Sequence, residues 1–219
     1  MSVAPAYIIR ALSNKYDGKT VLEIPYLEIP AGQIWGLVGP NGCGKTTLLS
    51  ILALLRKSSS GSMMLHGIEV TPKVSPLLRR KVTLVHQKPI LFSTTVRKNI
   101  SYGLRASGCS SREISARVQA VIEKAGLSAV ADKQARKLSG GEAQRAVLAR
   151  GIVLETSILL LDEPTNSLDE EFRPKLLELL RKCNKERRTT IVLATHDMGF
   201  VSSIANRIVR MDAGKLFLV

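Results

Sequence analysis

The sequence predicts an α/β fold carrying a helical insertion. Three observations predict it. Short apolar strand-like runs alternate with helical stretches near both ends of the chain, and residues 93–154 read as helix after helix. A glycine-rich loop also sits where one strand hands over to a helix.

Taken in order, Tyr7 to Ile34 is strand-like, and the Asp17-Gly18 turn divides it into two extended runs. Ile34-Trp35-Gly36-Leu37-Val38 reads as a buried strand. A helix is expected from Lys45 to Lys57, its apolar face marked by Leu48, Leu49, Leu52 and Leu55. Ser58-Ser59-Ser60-Gly61 reads as a loop and Val82–Val85 as a β-branched strand. Helices follow over Thr95–Ala106, Arg112–Ala125 and Glu142–Leu154. Strand Ser157–Leu161 then leads into a helix through Phe172, Leu176 and Leu180. Strand Thr190–Ala194, a short helix, and strands ending in Met211 and Leu218 complete the pattern.

Composition narrows the function classes. The chain has 219 residues, 45% hydrophobic and 23% charged, enough for a sizeable core without staples. No uncharged apolar run approaches the ~20 residues of a membrane-spanning helix, and the start has no basic stretch followed by an apolar one. Three scattered cysteines, Cys43, Cys109 and Cys183, with no C-x-x-C pair, argue against a disulfide framework and fit a reducing cytosol. The 32 Lys and Arg against 18 Asp and Glu give +14, which favours anionic partners. Four Phe, four Tyr and one Trp form no stacking platform of the kind single-strand binders use.

The strongest motif is Gly39-Pro40-Asn41-Gly42-Cys43-Gly44-Lys45-Thr46, a match to G-x-x-x-x-G-K-[ST] between a strand and a helix. Such glycines let backbone N–H groups close around phosphate oxygens at a helix N-terminus. Lys45 would neutralise the β- and γ-phosphates and the Thr46 hydroxyl would ligate Mg²⁺. The apolar strand Ile158–Leu161 ends in Asp162 and Glu163: beside a phosphate loop, the first carboxylate suits Mg²⁺ and the second can hold and deprotonate a water. Leu138-Ser139-Gly140-Gly141-Glu142-Ala143-Gln144 contains a capping box, Ser139-x-x-Glu142, that would start a helix whatever the function. Its paired glycines also expose N–H groups suited to a phosphate.

Gly39–Thr46, Leu138–Gln144, Asp162-Glu163 and His196, in that order, make the whole chain resemble the ATPase subunits of ATP-binding cassette (ABC) transporters. The resemblance implies a P-loop NTPase (RecA-like) core with an antiparallel β-subdomain and an inserted helical subdomain. Residues 1–92 and 155–219 would form the core with its β-subdomain, and 93–154 the helical subdomain. It further implies that ATP is held by Tyr16, which stacks on adenine, by Gly39 to Thr47 (Gly39, Pro40, Asn41, Gly42, Cys43, Gly44, Lys45, Thr46, Thr47), and by Ser139, Gly140, Gly141 and Gln144. Mg²⁺ would sit among Thr46, Gln87 and Asp162. Catalysis would rest on Glu163, Lys45, Gln87 and the switch histidine His196, while His66 and His86 are bystanders. Cys43 stands where the family usually has Ser or Ala, which would bring a thiol to the phosphate site. Ser167-Leu168-Asp169 resembles the loop that couples two sites, though Ser167-x-x-Glu170 could serve only as a helix cap. Implied partners are a second copy in the ATP-bound state, integral membrane permease subunits at the cytoplasmic face and, indirectly, a solute-binding protein, with no nucleic acid. The stretches His86–Phe92 and Thr95–Leu104 are similar to oxyanion importers, tungstate being the preferred cargo. Amino-acid or lipoprotein transport and a soluble nucleic-acid ATPase are the alternatives.

Overall fold

The computed structural model describes residues 5–71 and 73–218. Two sheets carry the chain. The first is antiparallel, in the order β2-β1-β4-β5, from β1 (Pro5–Tyr16), β2 (Lys19–Pro30), β4 (Ser60–Leu65) and β5 (Ile68–Glu69). The expected Asp17-Gly18 turn closes its main hairpin, with both residues at positive φ (46° and 78°), as a two-residue turn between twisted strands requires.

The second sheet has the order β10-β9-β3-β8-β7-β6. It is built from β3 (Ile34–Val38), β6 (Val82–Val85), β7 (Ile158–Asp162), β8 (Thr190–Thr195), β9 (Arg207–Asp212) and β10 (Lys215–Leu218). All neighbours are parallel except the β9–β10 hairpin. The helices are α1 (Lys45–Leu52), α2 (Pro76–Arg79), α3 (Val96–Ala106), α4 (Ser111–Lys124), α5 (Gly140–Ile152), α6 (Phe172–Arg187) and α7 (Met198–Ser202).

Strand periodicity splits the core in two. Leu159, Leu161, Ile191 and Leu193 point to one face of the parallel sheet, where α3, α4, α5 and α6 pack. Ile158, Leu160, Val192 and Ala194 point to the other, against α1 and the antiparallel sheet. Burying alternate residues on opposite faces is what makes these strands continuous apolar runs. The helical segment is inserted between β6 and β7. Arg117 of α4 ties it down, donating to the Val153 carbonyl at 2.6 Å and pairing with Glu155 at 3.2 Å; Arg187 of α6 pairs with the same carboxylate.

Three local expectations are corrected. The first helix stops at Leu52 rather than Lys57: Leu54 turns left-handed (φ 59°), and Leu55, expected on the buried face, is 52% exposed. The Ser58–Gly61 loop is already strand from Ser60, because a bulge in β1 at Ala11 leaves room for Gly61, whose Cβ would strike the Ala11 carbonyl. Helix α6 begins at Phe172 after Glu171, with no side-chain cap, and Ser167 sits at φ 64°, so Ser167-x-x-Glu170 is not a capping box.

Candidate active site

Strands β3, β8 and β7 are adjacent and parallel, so residues just past their carboxyl ends meet on one edge, where open α/β sheets bind ligands. The Gly39–Thr46 loop leaves β3, Asp162 and Glu163 end β7, and His196 follows β8. Gln87, after β6, reaches the same edge. A cleft of about 300 Å³ is lined by Asn41, Gly42, Gly44, Lys45, Thr46, Thr47, Gln87, Asp162 and Glu163, with Val21 from β2.

The loop's glycines are used for backbone shape. Gly42 and Gly44 lie at φ 80° and 112°, and a Cβ on Gly39 would collide with the Met211 carbonyl. Gly44 is the N-cap of α1 and, as a glycine, supplies no side-chain cap to it. Lys45, 6% exposed, folds back on its own loop: its ammonium donates to the carbonyls of Gly39 (2.7 Å) and Pro40 (3.1 Å). It also stands 3.5 Å from Glu163 Oε1, close enough for an ion pair.

Glu163 is buried and strained. Its φ of 46° is held by its backbone N–H, which donates a hydrogen bond to the Ala194 carbonyl at 2.7 Å; such a conformation costs on the order of 1–3 kcal/mol and persists where the surroundings enforce it. Its Oε2 accepts from the Thr195 hydroxyl at 3.1 Å and lies 3.0 Å from His196 Nδ1. Thr195 was not among the residues expected here; its position directly before His196 was the available signal.

Asp162 accepts the Thr46 hydroxyl at 2.7 Å through Oδ2, while its Oδ1 is buried with no partner among the described residues. Burial pushes its carboxyl above the ordinary aspartate value, the Thr46 bond pulls it back, and the Glu163 carboxylate raises it again. A buried carboxylate oxygen left unpaired is costly unless a ligand satisfies it. A threonine hydroxyl, a carboxylate and an amide oxygen on one cleft are a hard-oxygen donor set, which fits Mg²⁺.

Other expected residues are not in this cleft. Ser139, Gly140 and Gly141 start α5 through the anticipated capping box: Glu142 N donates to Ser139 Oγ (3.2 Å) and Ser139 N to Glu142 Oε2 (2.7 Å). None of them lines the cleft of their own chain. A Cβ on Gly140 would meet nothing within 4 Å, whereas one on Gly141 would lie 3.2 Å from the Ser167 carbonyl and 3.3 Å from Asp169. Gln144 is corrected: it is fully buried in α5, its side-chain amide making no hydrogen bond among the described residues, so no atom of it faces the surface where a nucleotide would bind. Cys43 is corrected likewise. It is 6% exposed, and its thiol packs towards Gly39 in the core rather than into the cleft. Tyr16 ends β1, 41% exposed and outside the cleft lining, with the Arg56 guanidinium over its ring.

Comparison with known proteins gives the family. A family described as ABC transporter matches residues 22–166, and one described as AAA domain, putative AbiEii toxin, Type IV TA system matches residues 135–202. The chain is 35% identical over 209 residues to the tungstate uptake system ATP-binding protein TupC of Peptoclostridium acidaminophilum, covering 94% of each. It is 35% identical over 216 residues to the methionine import ATP-binding protein MetN 1 of Paraburkholderia xenovorans. It is 38% identical over 213 residues to the sulfate/thiosulfate import ATP-binding protein CysA of Bordetella parapertussis. Each match takes in 95% of this chain, which spans 63% and 60% of those two longer relatives. The dimeric structure of a post-hydrolysis state of the ATP-binding cassette MJ0796, bound to ADP and Pi, superposes with a TM-score of 0.89 at 28% identity, over 96% of both chains. The chain therefore belongs to the ABC transporter family and is an ATP-binding cassette ATPase.

Proposed function

We propose that this chain powers import as one of two identical ATPase subunits beneath membrane permease subunits, at the cytoplasmic face of the membrane. The observation that carries the reading is one cleft lined by Thr46, Asp162, Lys45 and Glu163, with His196 set on the Glu163 carboxylate, and without Ser139–Gly141.

In this reading the loop amides and Lys45 take the phosphates of ATP, and Tyr16 stacks on the base. Thr46, Gln87 and Asp162 would hold Mg²⁺, which when bound would neutralise charge on the β- and γ-phosphates. Glu163 is the general base: it receives a proton from the water whose oxygen attacks the γ-phosphorus as the bond to the β–γ bridging oxygen breaks. His196 and Thr195 fix its carboxylate. Recruiting Lys45 to phosphate also frees Glu163 Oε1 from its ion pair, so the base is released when substrate arrives. Ser139, Gly140 and Gly141 of each copy complete the site of the other, their exposed N–H groups meeting the γ-phosphate.

A groove of about 270 Å³ supports a permease contact. Exposed Ile90 (69%), Phe92 (46%) and Tyr102 (57%) line it, and Arg150 braces it by donating to the Ile90 carbonyl at 2.7 Å. Apolar side chains gathered at the surface mark interaction sites, and His86 and Lys88, the chain neighbours of Gln87, line the same groove. A solute-binding protein would act through the permease. For the cargo we favour an oxyanion such as tungstate, supported by the end-to-end match with the tungstate relative. The test is co-purification with a multi-span membrane protein, followed by ATP-dependent uptake of tungstate, sulfate and methionine in proteoliposomes. Nucleic acid in place of a permease would overturn the transport reading; uptake of methionine alone would overturn the oxyanion.

A further inference from the structure

We propose that Arg56 is a positioning residue for the adenine end of the nucleotide, its guanidinium backing one face of the Tyr16 ring and leaving the other for the base. The inference rests on the reading of Tyr16 given above. Arg56 Cζ lies 4.5 Å from the ring centroid, stacking distance for a cation over an aromatic face. Among the described residues Arg56 has no carboxylate partner and no side-chain hydrogen bond, so the ring is its specific contact.

The backbone around the pair explains why they meet. Tyr16 is the last residue of β1, pairing with Lys19 across the hairpin turn. Arg56 follows α1, the helix whose first residues are Lys45 and Thr46. The segment after it is pinned to β1: Ser59 N donates to the Ser13 carbonyl at 2.8 Å, and Lys15 N to Ser59 Oγ at 3.0 Å. One element thus carries the phosphate-binding side chains at its start and leads to the support of the stacking ring at its end. An exposed tyrosine beside a turn loses rotamer freedom when a base stacks on it. A guanidinium already on the opposite face removes part of that cost before ATP arrives. It also fixes the distance between base and phosphate subsites.

The test is a double-mutant cycle on the purified chain, reading KM and kcat for Mg-ATP in Arg56→Ala, Tyr16→Ala and the pair. Arg56→Ala should raise KM about two- to fivefold, the affinity equivalent of an exposed cation–π contact, with kcat unchanged. It should add nothing in the Tyr16→Ala background, and Arg56→Lys should restore part of the loss. An equal effect in both backgrounds would mean that Arg56 acts as a charge on the phosphates, and would overturn the proposal. So would an unchanged KM, or a fall in KM, which would place Arg56 on the face the base needs. If Tyr16→Ala itself leaves KM unchanged, the adenine reading fails first and takes the proposal with it.

Discussion

His196 Nδ1 lies 3.0 Å from Glu163 Oε2, while the other oxygen of that carboxylate faces Lys45 at 3.5 Å. One buried carboxylate is thus held between a cation that phosphate can draw away and an imidazole that is itself mostly exposed. Glu163→Gln keeps the shape and removes the base, so ATP hydrolysis should fall by about 10²–10⁴ while ATP still binds. His196→Ala should fall less, since Thr195 still donates to the same oxygen. Steady-state phosphate release at saturating Mg-ATP measures both; a Glu163→Gln variant retaining most activity would remove Glu163 as the base.

Asp162 is a place where stability and function oppose each other. Its carboxyl is raised chiefly by burial, so the folded chain binds that proton more tightly than the unfolded chain does. Linkage then makes its contribution most favourable at low pH, lost as pH rises through the folded value. Asp162→Asn should therefore raise the melting temperature of the nucleotide-free chain at pH 7.5, and the gap should narrow towards pH 4. The same change should abolish Mg²⁺-dependent hydrolysis. Thermal unfolding across that pH range checks the sign.

Gly140 offers a clean probe of the shared site. With nothing within 4 Å of its Cβ position, Gly140→Asp should leave the fold intact, and an acid at the first turn favours the helix. Gly141→Asp is a poorer choice, because it would press a second carboxylate against Asp169 of its own chain. In the Glu163→Gln background, ATP should drive a dimer seen by light scattering, and ADP should not. Adding Gly140→Asp should abolish that dimer without lowering the melting temperature. A dimer that survives would place the γ-phosphate elsewhere.

Thiol labelling should follow burial rather than the position of Cys43 inside the phosphate loop. Cys43 and Cys183 are buried and Cys109 is half-buried. One cysteine, Cys109, should react readily with a maleimide in the folded chain, and the other two only on unfolding. Burial pushes the Cys183 thiol up, which slows it further. Mass mapping with and without ATP is the check; rapid, ATP-protected labelling of Cys43 would contradict the packing around Gly39.

Much of the fold and the site was legible because the relevant signals are local. The Asp17-Gly18 hairpin, the Ser139–Glu142 capping box and the glycines around Lys45 each rest on hydrogen bonds and φ angles set within a few residues. Apolar runs announced β3, β7 and β8, and their parallel adjacency brought Lys45, Asp162, Glu163 and His196 together. What failed were side-chain directions and element ends that distant partners decide. Leu55 keeps the helical period, yet α1 ends before it. Gln144 stands among motif residues, yet points into the packed face of α5.

The sequence by itself determined the order of the motifs, the strand–helix alternation and the chemistry available at each loop. Only the tertiary structure decided that Cys43 turns inward against Gly39, that Ser139–Gly141 lie outside their own chain's cleft, and that Arg56 covers Tyr16. The physical reason is the range of the forces involved. Backbone geometry and capping are satisfied between near neighbours, whereas side-chain burial depends on which far segment fills the space beside it. Arg56 meets Tyr16 because Ser59 and Ser13 are hydrogen-bonded across 46 positions of the sequence, a pairing no local pattern announces.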